Sequence, residues 1–146
     1  MVATRNQPVL LIEDSPEDRE TTTRALKRAG VTLPIMYCVD GDDALDYLHG
    51  RGQYTQSEKN VRPGMILLDL NMPGTDGREV LAEIKQNDEL KSIPVLVVTT
   101  SHDERDIRTC YQSGANAYIR KPVDLGAFMQ TMRRVAEFWL NEALLP

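Results

Sequence analysis

Five short apolar runs constrain this chain more than any other feature: "PVLLIED" from Pro8, "IMYCV" from Ile35, "MILLD" from Met65, "PVLVVT" from Pro94 and "AYIRK" from Ala117. They are continuous rather than alternating, as strands covered on both faces should be. Stretches with helical period separate them. The first predicts a helix with Ser15 as N-cap, Pro16 at the first helical position, Ala25, Leu26 and Ala29 on one face, and Gly30 as its stop. The same signs predict helices over about 43–49, 77–87, 103–113 and 124–144. Strand and helix alternate five times, which means βαβ units and a parallel sheet.

One such domain fills the 146 residues, with a core over about 7–136, an extended last helix and tail over 137–146, and an insertion loop at 50–64. That loop is long for a connection inside an α/β domain and reads as a surface insertion or a partner contact. A net charge of -5 disfavours a nucleic-acid or anionic-membrane surface, since both need a basic patch. No apolar run approaches the roughly 20 residues that cross a bilayer, and "MVATRNQP" lacks the apolar centre of a secretion signal. A cytoplasmic protein is expected. Cys38 and Cys110 lack metal-site spacing and are expected in the core, and His49 and His102 are too few and scattered for a metal cage.

In open doubly wound sheets, ligands sit beyond the carboxyl ends of the strands where strand order reverses. In the flavodoxin-like order 2-1-3-4-5, that point lies between strands 1 and 3. Glu13 and Asp14 end the first run, and Asp69 ends the third in "MILLDLNMPGTDG". A carboxylate kept at the end of a buried strand needs a partner, and three converging acids call for a hard divalent cation, magnesium where phosphate is also bound. Lys121 reaches the same edge from the fifth run, and Thr99 or Thr100 brings a hydroxyl from the fourth. A nucleophile, a metal site and fixed donors are what phosphoryl transfer requires, with Asp69 as the nucleophile.

With those residues in view, the chain resembles a response-regulator receiver domain of bacterial two-component signalling over about 7–136. The motifs that carry the likeness are "IEDSPED", "LLDLNMPGTDG", "PVLVVTTS" and "GANAYIRKPVD". The resemblance implies that Asp69 accepts a phosphoryl group from a kinase phosphohistidine. It implies that Asp14, Asp69 and the Asn71 backbone carbonyl ligate Mg2+, with Glu13 acting through water. Thr99 then matches the switch hydroxyl, Lys121 the phosphate-binding lysine before a cis Pro122, and Tyr118 an aromatic that turns inward when Thr99 moves. Asn71 and Ser101 occupy the positions that tune self-hydrolysis, and Thr100 stands where a smaller residue is often found.

The long loop and the "EFWLNEALLP" tail resemble the single-domain regulators paired with bacterial phytochromes. That likeness implies a light-regulated histidine kinase as donor and a homodimer. Leu125, Phe128, Met129, Met132, Val135, Ala136, Trp139 and Leu140 form the expected core stripe of the last helix. Phe138 and Leu145 lie off that stripe, and with Trp139 and Leu144 they are the dimer candidates. Three competing readings are an aspartyl phosphatase, a flavin or nucleotide binder, and a receiver that docks unphosphorylated. Asn71 stands where a phosphatase places its second acid, and "EDSPED" repels a bare phosphate.

Overall fold

The computed structural model describes residues 7–55 and 61–146. Strands β1 (Val9–Ile12), β2 (Ile35–Cys38), β3 (Met65–Leu68), β4 (Val95–Thr99) and β5 (Ala117–Arg120) alternate with helices α1 (Pro16–Arg28), α2 (Gly41–His49), α3 (Gly77–Gln86), α4 (Glu104–Gln112) and α5 (Leu125–Glu137). All strand pairs are parallel, in the order β2-β1-β3-β4-β5. The predicted topology is the observed one. Val9 faces both Ile35 and Met65, which sets the ends of β1, β2 and β3 level at the carboxyl edge.

Strand periodicity divides the core in two. Leu10, Ile12, Ile66, Leu68, Val95 and Val97 pack with Ala44, Leu45, Val80, Leu81 and Ile84 of α2 and α3. Val9, Leu11, Met65, Leu67, Leu96 and Val98 pack with Ala25, Leu26, Phe128 and Met132 of α1 and α5. Cys38 and Cys110 are both buried in the first cluster, as expected. Coverage on both faces holds for β1, β3 and β4 but not for the edge strands. Met36 and Tyr37 of β2 are exposed, and the Tyr37 ring takes the Arg19 guanidinium 4.6 Å from its centroid.

Capping fixes where the helices begin. Ser15 accepts from the Asp18 amide, and Asp40, Asp76, Asp103 and Asp124 accept from the amides of Asp43, Arg78, Arg105 and Ala127. Asp40 as cap starts α2 at Gly41, two residues before the predicted start. The last helix departs most from expectation. It ends at Glu137 and passes into one wide turn, Phe138–Glu142, closed by the Ala143 amide on the Phe138 carbonyl at 2.7 Å. That turn packs Trp139, Leu140 and Leu145 on the second core cluster, so Leu145 lies inward rather than off the stripe. Leu125, expected in the stripe, is 60% exposed at the first position of α5. Phe138 and Leu144 are exposed.

The insertion loop is pinned at both shoulders. Tyr54, in a 3-10 turn over Gly52–Tyr54, stacks edge-on against Tyr47 and donates to Asp43 Oδ1 at 2.8 Å. Tyr47 donates in turn to the Val61 carbonyl, and Arg62 reaches Ser92 Oγ at 2.9 Å. The middle of the loop, 56–60, lies outside the described residues. Among those described, no helix is long and apolar enough to cross a membrane.

Candidate functional site

Backbone ladders that outrun the strands build the cleft. The Glu13 amide donates to the Cys38 carbonyl at 3.1 Å, and the Asp69 amide donates to the Ile12 carbonyl at 3.0 Å. Each acid is therefore held by the strand beside it at the point where the sheet ends. One carboxylate oxygen from each of Glu13, Asp14 and Asp69 lies within 4.8 Å of the others. Glu13 and Asp69 are buried, while Asp14 is exposed at the mouth. The Asn71 amide donates to Asp69 Oδ1 at 3.5 Å, keeping the turn after β3 folded over the carboxylate.

Lys121 is the one cation among the buried polar residues described. Its amide donates to the Thr99 carbonyl at 2.6 Å, continuing the β4–β5 ladder past the strand. Its ammonium donates to Glu13 Oε1 at 2.7 Å and to Asp18 Oδ2 at 2.8 Å, and stands 3.7 Å from Asp69 Oδ2. The expected cis bond at Pro122 is absent, since no peptide bond among the described residues is cis. Trans is the favoured X-Pro geometry by about 0.5–1 kcal/mol. With this bond trans, the Lys121 ammonium reaches Glu13 and Asp18 in the cleft.

Burial and neighbouring charge both act on the two buried charged groups. Burial first, and then the Asp69 charge, push the Glu13 carboxyl up to about 7, although the Lys121 bond opposes this. Burial works against the Lys121 cation, yet its bonds to Asp18 and Glu13 and the attraction of Asp69 hold its pKa above the ordinary value. Burial disfavours the charge on both groups, and the neighbouring carboxylates add to the rise at Glu13 and outweigh burial at Lys121. A hard, all-oxygen set of three carboxylates beside a single lysine fits a divalent cation.

Thr99, wholly buried, and Thr100, exposed, are separated by the end of β4. Thr99 continues the alternation of Val95 and Val97 toward the face where Tyr118 packs. Tyr118 already lies inward, its hydroxyl donating to the Ser101 carbonyl at 2.9 Å. Ser101 Oγ donates to Asp106 Oδ2 at 2.8 Å, and the Arg78 guanidinium grips the same carboxylate with two bonds of 2.8 and 2.7 Å. The β4–α4 loop is thereby tied to α3.

Sequence reasoning missed Asp18, Arg78 and Asp106. Asp18 reads as an acid favouring the N-terminus of α1, and only its position one turn beyond "ED" hinted at the cleft. Arg78 and Asp106 are 28 residues apart with no local signal. A small internal hole of about 10 Å³ lies beneath the acids, where Glu13, Asp69 and Lys121 meet apolar side chains such as Leu11, Val98 and Met132. Larger cavities lie elsewhere, about 590 Å³ along α1 beside Tyr37 and about 730 Å³ between Gln7 and the tail. Organic ligands fill pockets of some 300–1,000 Å³, and neither of these larger cavities is lined by Glu13, Asp14, Asp69 or Lys121.

Comparison with known proteins agrees with this geometry. The family described as response regulator receiver domain matches residues 9–133. Response regulator Rcp1 of Synechocystis sp. is 42% identical over 138 residues, 94% of this chain and 92% of that protein. The crystal structure of Mn2+-bound Rcp1 superposes with a TM-score of 0.90 at 41% identity, covering 96% of this chain and 99% of that one. The phosphorylated cyanobacterial phytochrome response regulator RcpA also superposes with a TM-score of 0.90 at 41% identity, covering 97% of this chain and 99% of that one.

Proposed function

The chain belongs to the response regulator receiver family, and from that premise we propose that it is a phosphoacceptor switch driven by a sensor histidine kinase. The observation that carries this reading is the convergence of Glu13, Asp14 and Asp69 on one point, with the Lys121 ammonium beside them. In the reaction, an Asp69 carboxylate oxygen attacks phosphorus, the phosphorus–nitrogen bond of the donor phosphohistidine breaks, and an acyl phosphate forms. Asp14, Asp69, the Asn71 carbonyl and, through water, Glu13 would hold Mg2+. When bound, the ion neutralises the carboxylates and the phosphoryl oxygens. Thr99 and Lys121 donate to those oxygens, and the Asn71 amide keeps the Asp69 carboxylate aimed outward. Lys121 must loosen from Glu13 to do so.

The new charge then shifts a pre-existing equilibrium of β4, α4 and β5 toward the phosphorylated arrangement. Tyr118 and Ser101 carry that shift to the surface. The likeness to Rcp1 and RcpA supports a phytochrome kinase as donor in the cytoplasm. The exposed Phe138 and Leu144 beside Trp139 and Leu145 support a homodimer joined through the tail. The protein is a switch rather than a turnover enzyme, with slow loss of its own phosphoryl group.

Intact-mass spectrometry after incubation with acetyl phosphate tests the reading. The native chain should gain one phosphoryl group only with magnesium, and Asp69→Asn should gain none. No gain in the native chain would remove self-phosphorylation from small donors, and no gain with a histidine-kinase phosphodonor either would remove the switch.

A further inference from the structure

Asp18 has no part in the scheme above, yet it makes one of the two shortest contacts of the phosphate-binding lysine. Its carboxylate accepts from Lys121 Nζ at 2.8 Å, against 2.7 Å for Glu13 and 3.7 Å for Asp69. The backbone of Asp18 is fixed at the third position of α1, where its amide donates to Ser15 Oγ at 3.2 Å. An acid at that position commonly reaches back to the amide of the N-cap residue. Here the Ser15 amide donates instead to Glu13 Oε2 at 3.2 Å, which frees the Asp18 carboxylate to face the lysine. The side chain of Asp18 is one-third exposed, whereas that of Lys121 is 7% exposed.

The geometry points to Asp18 as a positioning residue that parks the Lys121 ammonium and competes for it with the phosphoryl group on Asp69. The inference rests on the receiver reading. An ammonium has three N–H donors, and two are engaged at full hydrogen-bond distance by Glu13 and Asp18. A metal ion at the acid cluster would draw on the charge of Glu13 and leave Asp18 as the close anion still holding the lysine. A phosphoryl group captures the ammonium only to the extent that it outbids Asp18. Asp18 also adds a fourth carboxylate to a site already short of positive charge. Both effects weaken the hold on the acyl phosphate, so Asp18 shortens the life of the signal.

The test follows loss of the phosphoryl group by intact-mass spectrometry in the native chain, Asp18→Asn, Asp18→Ser and Asp18→Glu, each charged with acetyl phosphate and magnesium. Thermal unfolding of each variant is recorded alongside. Asp18→Asn and Asp18→Ser should keep the group about three- to tenfold longer and reach half-phosphorylation at lower donor concentration, while Asp18→Glu keeps native behaviour. A general loosening of the fold would lower the unfolding temperature without lengthening the lifetime. An unchanged or shortened lifetime in the two neutral variants, with the native chain charging normally, overturns the role of Asp18 alone. A native chain that takes no phosphoryl group fells the receiver reading with small donors, and this proposal with it.

Discussion

Asp106 carries a strongly perturbed charge outside the cleft. Its carboxyl is held down to about 2, from an ordinary 3.8, first by the Arg78 hydrogen bonds and then by the Ser101 hydroxyl. A depressed acid contributes stability that is complete above its unfolded value and is lost as pH falls through its folded value. The protein should therefore lose this contribution between about pH 4 and pH 2. Asp106→Asn should cost about 1 kcal/mol at pH 7 and flatten that part of the acid-unfolding curve, as followed by circular dichroism. An acid limb unchanged by the substitution would mean that the Arg78 bonds contribute nothing to the fold. At this scale the sequence exposed the residues that end strands and hid those that meet across the fold. Asp69 announces itself because four apolar residues lead into it, whereas Asp18, Arg78 and Asp106 sit in ordinary amphipathic helices.

Among the elements, the start of α3 is a tight junction against the segment that carries Asp69. A side chain on Gly77 would come within 2.6 Å of the Leu70 Cα and closer still to the Asp69 carbonyl oxygen. Backbone cannot give way as a flexible side chain can. Gly77→Ala should therefore lower stability by about 2–4 kcal/mol and weaken divalent-cation binding in calorimetry, because it displaces the segment that carries Asp69 and Asn71. Native stability in that variant would show that the junction adapts. The sequence placed this glycine at the start of α3, and five runs of apolar residues located the strands to within a residue or two. It failed at α5, where the apolar spacing continues past Glu137 but the chain turns wide to seat Trp139, Leu140 and Leu145. Periodicity records which residues are apolar and carries no information on where a helix is deflected by the core it meets.

For the whole molecule, the two clusters on either side of the sheet leave the tail as the main apolar surface at the edge away from the cleft. Phe138 is 56% exposed and Leu144 98% exposed, next to the cavity between Gln7 and the tail. If the tail joins two copies, Phe138→Ser together with Leu144→Ser should raise the dimer dissociation constant at least about tenfold in sedimentation velocity while leaving Asp69 phosphorylation intact. An unchanged sedimentation profile would place any dimer contact elsewhere. Met132, fully buried between α5 and the sheet, tests the second core: Met132→Ala should cost about 2–5 kcal/mol in denaturant unfolding. A loss well under 1 kcal/mol would mean that this face is not closely packed.

The strand and helix alternation, the acids that end β1 and β3, and the hydroxyl and lysine that follow from β4 and β5 are all legible along the chain. These are local facts, written in apolar runs and in the residue that follows each run. It takes the folded chain to show that Lys121 rests closer to Glu13 and Asp18 than to Asp69, that its bond to Pro122 is trans, that Tyr118 lies inward, and that Leu145 folds back onto the core. Each of those outcomes is a competition between partners brought together by strand order. Distances across a sheet, and the charge balance they create, settle it where spacing along the chain cannot.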